Sequence, residues 1–367
     1  MKGTKAGEGV TAVFDRKTGS VKLYSNGGTL WRNWLEEAGI DRGDVRSISV
    51  AEGTVFLPED ASGYDKQEDA YFMFGGLKVA KSIDLRGFNT SKVENMFGMF
   101  YNCAHLTDIN MNGLDTSTSK NMAYMFNRCS SIKGLDLSGF DTSAVISMRG
   151  MFEGCEGLTK LSLKDIDTSN TLSMAYMFFG CHSLRHLDIS GFNTCKVTDM
   201  RGMFAECRHL EGLNINSLDT SNITDARCMF YSCTRLKNLD LSTFDTARVT
   251  NMYGMFAHCK SLKSLNLGGF DTSKVTDMKW MFRGCAGLVN LDVSSFNTSN
   301  VVDMNLMFAN CNSLANLDLS GFDISNVENM KGMFMDSQNL KRITMSTVIN
   351  EATDTDEMFL NCPAEIT

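Results

Sequence analysis

One phrase recurs along this chain every 26 residues. Met-Phe pairs stand at 73, 99, 125, 151, 177, 203, 229, 255, 281, 307 and 333, and a last pair, Met358-Phe359, follows at 25. A fixed period in the range of about 20 to 50 residues marks a solenoid, propeller or array. Each unit of an array needs only its neighbours to bury its apolar face. A chain of 367 residues therefore need not divide into two or three globular domains.

Counted from the Val that opens each unit, the consensus is V1-T-D-M4-x-x-M7-F8-x-x-C11-x-x-L14-x-x-L17-D-L19-S-x-F22-D-T-S-x26. The apolar slots 1, 4, 7–8 and 11 have helical spacing. Slot 3 holds Asn95, Asn121, Ser147, Ser173, Asp199, Asp225, Asn251, Asp277, Asp303 and Asn329, all good N-cap residues, so a short helix is expected from the following Met. Slot 10 is often Gly or Asn (Asn102, Gly154, Gly180, Gly284, Asn310), which suits a left-handed stop. After slot 11 the period changes to two, and L17-D-L19-S reads as a short strand. Phe at 22 turns inward again, and the D/N-T-S beyond it has the chemistry of an Asx-turn. The fold class predicted is an α/β solenoid of leucine-rich-repeat type. Each unit would carry one short helix and one short parallel strand, behind an N-terminal α+β cap.

The run Leu236-Lys-Asn-Leu239-Asp-Leu241-Ser-Thr-Phe244 resembles the leucine-rich repeat, with Phe in the usual Asn/Cys slot. The whole phrase is similar to the 26-residue repeat of BspA-like bacterial surface proteins, seen also in mycoplasma and listerial surface lipoproteins. The resemblance covers roughly residues 71 to 362, and residues 10–40 resemble the cap that often precedes such repeats. It implies a cell-surface, adhesion-type protein with a protein or glycan ligand.

Three regions are expected: a capping region at 1–70, about eleven repeats at 71–338, and a degenerate last repeat or C-terminal cap at 339–367. In the first, Val10–Phe14 and Ser20–Tyr24 flank DRKTG as a hairpin, Leu30–Ala38 reads as a short helix, and Val45–Leu57 as strand material. The only prolines, Pro58 and Pro363, stand outside the repeats, as a continuous backbone ladder would require.

Of 12 cysteines, nine hold slot 11 at a strict spacing, from Cys103 to Cys311, and Cys362 occupies it in the drifting last unit. Rungs repeat at about 4.8 Å, whereas a disulfide wants Cβ atoms about 3.8 Å apart. No CxxC spacing suggests a metal site. A column of buried free thiols is the reading that remains. Cys195 replaces a turn Ser, and Cys228 is expected on a helix.

Catalytic signals are missing. No Gly-rich phosphate loop, nucleophile elbow or paired-carboxylate motif occurs, and His105, His182, His186, His209 and His258 read as surface residues. No enzyme, cofactor or metal is expected. Net charge is −8 without a basic run, which argues against nucleic acid. No apolar stretch reaches the roughly 18 residues of a membrane span, and MKGTKAGEGV lacks a signal-peptide core. Surface display would then require a signal and anchor trimmed from this chain, the alternative being the cytoplasm. A monomer is expected.

Two arrays could contact a partner. Slot 18 carries Asn110, Asp136, Asp188, Asn214, Asp240, Asn266, Asp292 and Asp318, with Asp84 and Ser162 at the same slot, as a polar strip. Its bland alternative is a solvated, self-bonded face. The variable slots 5, 6 and 9 carry Tyr101, Tyr124, Tyr176, Phe179, Tyr231, Tyr253 and Trp280, which can encode a partner or pack between neighbouring helices. Slot 24 is Thr in nine successive units from Thr90 to Thr298, which reads as turn chemistry.

Overall fold

A computed structural model describes residues 3–65, 70–71 and 73–367. Residues 66–69 and 72, at the expected junction between cap and repeats, lie outside the described residues, as do Met1 and Lys2. The chain forms two compact units, residues 1–171 with 180–182, and residues 172–179 with 183–367.

In the first unit, strands β1 (Thr4–Asp15) and β2 (Ser20–Leu30) make the hairpin read from the sequence, longer at both ends. The helix expected at 30–38 shrinks to one turn, α1 (Trp34–Glu37), fixed by the buried Trp34 whose indole N–H donates to the Met73 carbonyl at 3.1 Å. Strands β3 (Ser47–Glu52) and β4 (Val55–Phe56) continue in parallel on β2. A two-residue antiparallel pair, β5 (Tyr64–Asp65) and β6 (Ala70–Tyr71), follows. The repeats then join the same sheet: β7 (Ser82–Asp84) pairs β3, β8 (Phe88–Asn89) pairs β4, and β9 (Asp108–Asn110) pairs β7, all parallel. One further pair, β10 (Gly134–Asp136) with β11 (Lys160–Ser162), keeps the 26-residue register.

The second unit repeats the device with β12 (His186–Asp188) on β13 (Gly212–Asn214), and β14 (Asn316–Asp318) on β15 (Arg342–Thr344) on β16 (Glu365–Ile366). At 238–240, 264–266 and 290–292 the corresponding segment is not a strand. One strand per repeat thus holds only in some coils.

The helix expected in every repeat is absent from the described residues, and the backbone shows why. Slot 6 is left-handed at Gly98, Tyr124, Gly150, Tyr176, Gly202, Cys228, Gly254, Trp280, Leu306 and Gly332, and slot 10 is left-handed from Asn102 to Asp336. Two positive φ values four residues apart cannot lie in one right-handed helix. The N–H groups of slots 4, 6, 8 and 10 instead donate to carbonyls of the next coil. Met252, Gly254, Phe256 and His258 reach Asp277, Lys279, Met281 and Arg283 at 3.0, 2.9, 3.0 and 2.6 Å. Slots 7, 9 and 11 close i→i+3 turns within their own coil, as Met255 N–H does on Met252. Apolar side chains at 1, 4, 8 and 11 face inward under this geometry as they would on a helix, so spacing alone does not separate the two. The slot-3 residue caps no helix. Its side chain accepts the N–H two residues on (Asn251 Oδ1 from Tyr253 at 2.8 Å, Asp303 Oδ1 from Asn305 at 2.8 Å), and its backbone bridges neighbouring coils. Cys228 correspondingly sits on this turn ladder and on no helix.

The interior is built from columns. Slot-8 rings stack at 5.4–5.9 Å between centroids, Phe74 through Phe152 in the first unit and Phe178 through Phe334 in the second, all fully buried. Each contributes on the order of 1.5–3 kcal/mol by burial. Cysteines 103 through 311 at slot 11 are free and buried, and each thiol donates to the slot-8 carbonyl of the preceding coil at 3.0–3.3 Å. Ser337 stands in the same slot and makes the same bond to Phe308 at 2.8 Å. Slot-24 threonines do more than shape a turn. Thr246 Oγ1 donates to the Asp271 carbonyl at 2.9 Å, and Thr90, Thr116, Thr142, Thr194, Thr220, Thr272 and Thr298 repeat the bond, locking coil to coil.

Candidate interaction surfaces

The polar strip is exposed or half-exposed, and one side-chain oxygen of each residue is already in use. Asp136, Asp188, Asp240, Asp292 and Asp318 each accept the slot-20 N–H at 2.9–3.0 Å, and Asn110, Asn214 and Asn266 accept theirs at 3.1–3.3 Å. These bonds hold the carboxyls of Asp136, Asp188, Asp240 and Asp318 below the ordinary value. The Ser294 hydroxyl, ahead of its N–H, does so for Asp292. A neighbour takes a second oxygen where Asn216 Nδ2 meets Asp240 Oδ2 at 3.3 Å. In the first unit the strip borders a shallow groove of about 740 Å³, floored by Asp84, Arg86, Asp108, Asn110, Asn112 and Asp136. Asp84 there is spent on a 2.6 Å ion pair with Arg86. The strip is therefore first a set of turn-makers.

The variable aromatics fall into separate places. In the first unit Tyr101 stacks on Tyr64 at 4.5 Å, and Tyr124 is buried, its hydroxyl accepting from Arg149 Nε at 2.7 Å. In the second unit Tyr176 meets Phe179 edge-on at 6.0 Å. Tyr231 meets His258 edge-on at 5.5 Å, and Tyr253 packs on Trp280 at 5.3 Å. All but Tyr124 are half-buried.

Slot 6 explains part of this packing. Glycine alternates there with a larger residue from Gly98 to Trp280, and Tyr124, Tyr176 and Cys228 each lie against the next coil's glycine. A Cβ on Gly150 would come within 2.5 Å of the Tyr124 ring, and one on Gly202 within 2.5 Å of Tyr176. Tyr124 and Tyr176 thus have a packing role that the 26-residue consensus hides. The 52-residue alternation was the signal available for it.

The Tyr253–Trp280 pair is different in kind. Arg283 places its guanidinium 4.6 Å and Lys279 its ammonium 5.5 Å from the Trp280 ring centroid. The indole N–H donates to Asn305 Oδ1 at 3.2 Å. His258, flanked by Tyr231, lies over Gly284, and burial, reinforced by Arg283 and Lys260, pushes its pKa down. Sequence reasoning singled out Tyr231, Tyr253 and Trp280 but passed over Lys279 and Arg283. These are basic residues at slots 5 and 9 of the coil that carries Trp280.

No group of three or more His, Cys, Asp or Glu is placed to hold a metal ion, and no helix is long and apolar enough to cross a membrane, both among the described residues.

A family described as "Mycoplasma protein of unknown function, DUF285" matches residues 68–187, 158–265 and 250–366. The chain belongs to this family. No curated protein is detectably similar. Among solved structures the chain is similar to a leucine-rich repeat protein of T. pallidum (14% identity, 76% of this chain and 86% of that one, TM-score 0.28). It is similar also to a leucine-rich-repeat protein of Eubacterium ventriosum (13% identity, 100% and 84%, TM-score 0.29). A third likeness is to the functional domain of InlJ of Listeria monocytogenes, which includes a cysteine ladder (12% identity, 89% and 67%, TM-score 0.21). At these values none of the three bears on function.

Proposed function

We propose that the chain is a non-catalytic repeat scaffold displayed at a cell surface, binding a host or neighbouring-cell macromolecule through its variable slots. The observation that supports this reading is a division of labour. Slots 8, 11 and 24 are committed to ring stacks, thiol bonds and threonine bonds between coils, whereas slots 5, 6 and 9 change from coil to coil and leave aromatic surface half-exposed. Aromatic and Arg side chains dominate binding hot spots, and in the second unit Tyr231, Tyr253, Trp280 and Arg283 gather on adjoining coils. A protein ligand fits this set better than a glycan, because the Trp280 ring already carries Tyr253 and Arg283 against it.

A spacer that merely carries another domain is the second reading. It is favoured by the polar strip's self-bonding, exemplified by Asp240. A panel of immobilised matrix proteins, mucin and immunoglobulin separates the two. Saturable capture that is lost in Tyr253→Ala/Trp280→Ala supports the scaffold. Absence of capture across the panel, or capture indifferent to that double variant, supports the spacer.

A further inference from the structure

We infer that the Trp280 cluster is a docking site for an acidic peptide segment of the partner; this rests on the scaffold reading above and names the chemistry of its ligand. The chain as a whole is acidic, at −8, yet Lys260, Lys279 and Arg283 collect around His258, Tyr253 and Trp280. No described carboxylate forms an ion pair with any of the three lysine or arginine groups, although Asp84, Glu94, Asp199, Asp225 and Glu206 find such partners elsewhere. Asp277, two residues before Lys279, is half-buried and spends its oxygens on the Lys279 N–H at 3.0 Å and Asn251 Nδ2 at 3.1 Å.

Arg283 is the anchor. Its Nε is shielded from solvent and has no acceptor, a state that costs free energy until a partner supplies one. The stacked guanidinium is held in place by Trp280, leaving its fork for a planar, two-oxygen ligand. A carboxylate arriving side-on, with a small adjustment of the long side chain, would give Nε and one Nη their acceptors. Lys279 would take the next acidic side chain, and Tyr253 with Trp280 would supply apolar contact. Charge complementarity thus selects an extended Asp/Glu-rich segment. A neutral glycan would offer hydroxyl acceptors but no countercharge to the guanidinium.

The test uses the full chain and fluorescein-labelled hexaglutamate, followed by fluorescence anisotropy. Expected is saturable binding that weakens as salt is raised, by about tenfold or more in Arg283→Gln, and by less in Arg283→Lys. Lys22→Gln/Lys92→Gln, which removes charge in the first unit, should bind like the native chain. Circular dichroism confirms that each variant is folded. The inference is overturned by absence of saturable binding at low salt, by equal weakening in Lys22→Gln/Lys92→Gln, or by binding of an oligouronate but not hexaglutamate. Should hexaglutamate fail while Tyr253→Ala/Trp280→Ala still abolishes capture on the protein panel, the scaffold stands and only its acidic ligand is lost.

Discussion

Replacing Gly202 by Ala should destabilise the second unit more than replacing Gly254 by Ala, although both glycines hold slot 6. Their φ values are +58° and +57°, so the left-handed cost, about 1–2 kcal/mol, is common to both. The neighbours differ. A Cβ at 202 would lie 2.5 Å from Tyr176 Cδ1 and 2.6 Å from Cε1, whereas one at 254 would meet Cys228 Sγ at 3.4 Å, near ordinary contact. Clearing the ring means pushing a half-buried tyrosine off its seat against Phe179. By the usual cost of overpacking this adds about 1–3 kcal/mol. Guanidinium denaturation followed by circular dichroism measures both variants. A double-mutant cycle with Tyr176→Cys, which copies the residue at 228, isolates the ring and should return a coupling of about 1 kcal/mol or more. Equal midpoints for Gly202→Ala and Gly254→Ala, or no rescue by Tyr176→Cys, would refute the ring-over-glycine account.

Thiol titration of the undenatured protein should find exposed Cys195 reactive at once, half-buried Cys228 and Cys362 slower, and the buried slot-11 thiols from Cys103 to Cys311 silent. Burial removes the last from solvent and pushes Cys103, Cys155, Cys259 and Cys311 up to about 12; rapid reaction of most thiols would contradict this. Cys259→Ser should be tolerated, since Ser337 already makes the equivalent bond at 2.8 Å. Cys259→Ala removes one of the two donors to the Phe230 carbonyl, which keeps the Cys233 N–H at 3.2 Å, and should cost about 0.5–1.5 kcal/mol more than the serine variant by thermal denaturation. Acid should weaken the fold through its Asx turns. Asp136, Asp188, Asp240 and Asp318 have folded values below 3.8, so their contribution is complete above that value and disappears as pH falls through the lowered ones. Asp240→Asn, which copies Asn266 in the next coil, should keep the turn and reduce the acid sensitivity of the melting temperature.

The period, the Phe and Cys columns and the outward strip were all legible, because repetition fixes which side chains must meet their own kind in the next coil. Backbone conformation was less so. Slots 1, 4, 8 and 11 look alike whether a helix or a chain of i→i+3 turns carries them, and Asn251 or Asp303 would cap the one as readily as it closes the other. Glycine at 98, 150, 202, 254 and 332 was the missed clue, since a residue so often Gly in the middle of a supposed helix argues for positive φ. Tyr124, Tyr176 and Trp280 adopt that conformation despite their side chains, which masked the pattern. The candidate site was half legible for a related reason. Aromatics stand out in a consensus, but the unpaired state of Arg283 depends on what surrounds it in three coils at once.

The central claim is that slots 4, 6, 8 and 10 bond across coils. Scalar couplings through hydrogen bonds, recorded by NMR on deuterated protein, observe it directly. The Phe230 amide should couple to the Met255 carbonyl, and the Phe256 amide to that of Met281, matching bonds of 2.9 and 3.0 Å. Coupling of the Phe230 amide to the carbonyl of Ala226, four residues back in its own coil, would contradict the account and restore the helix.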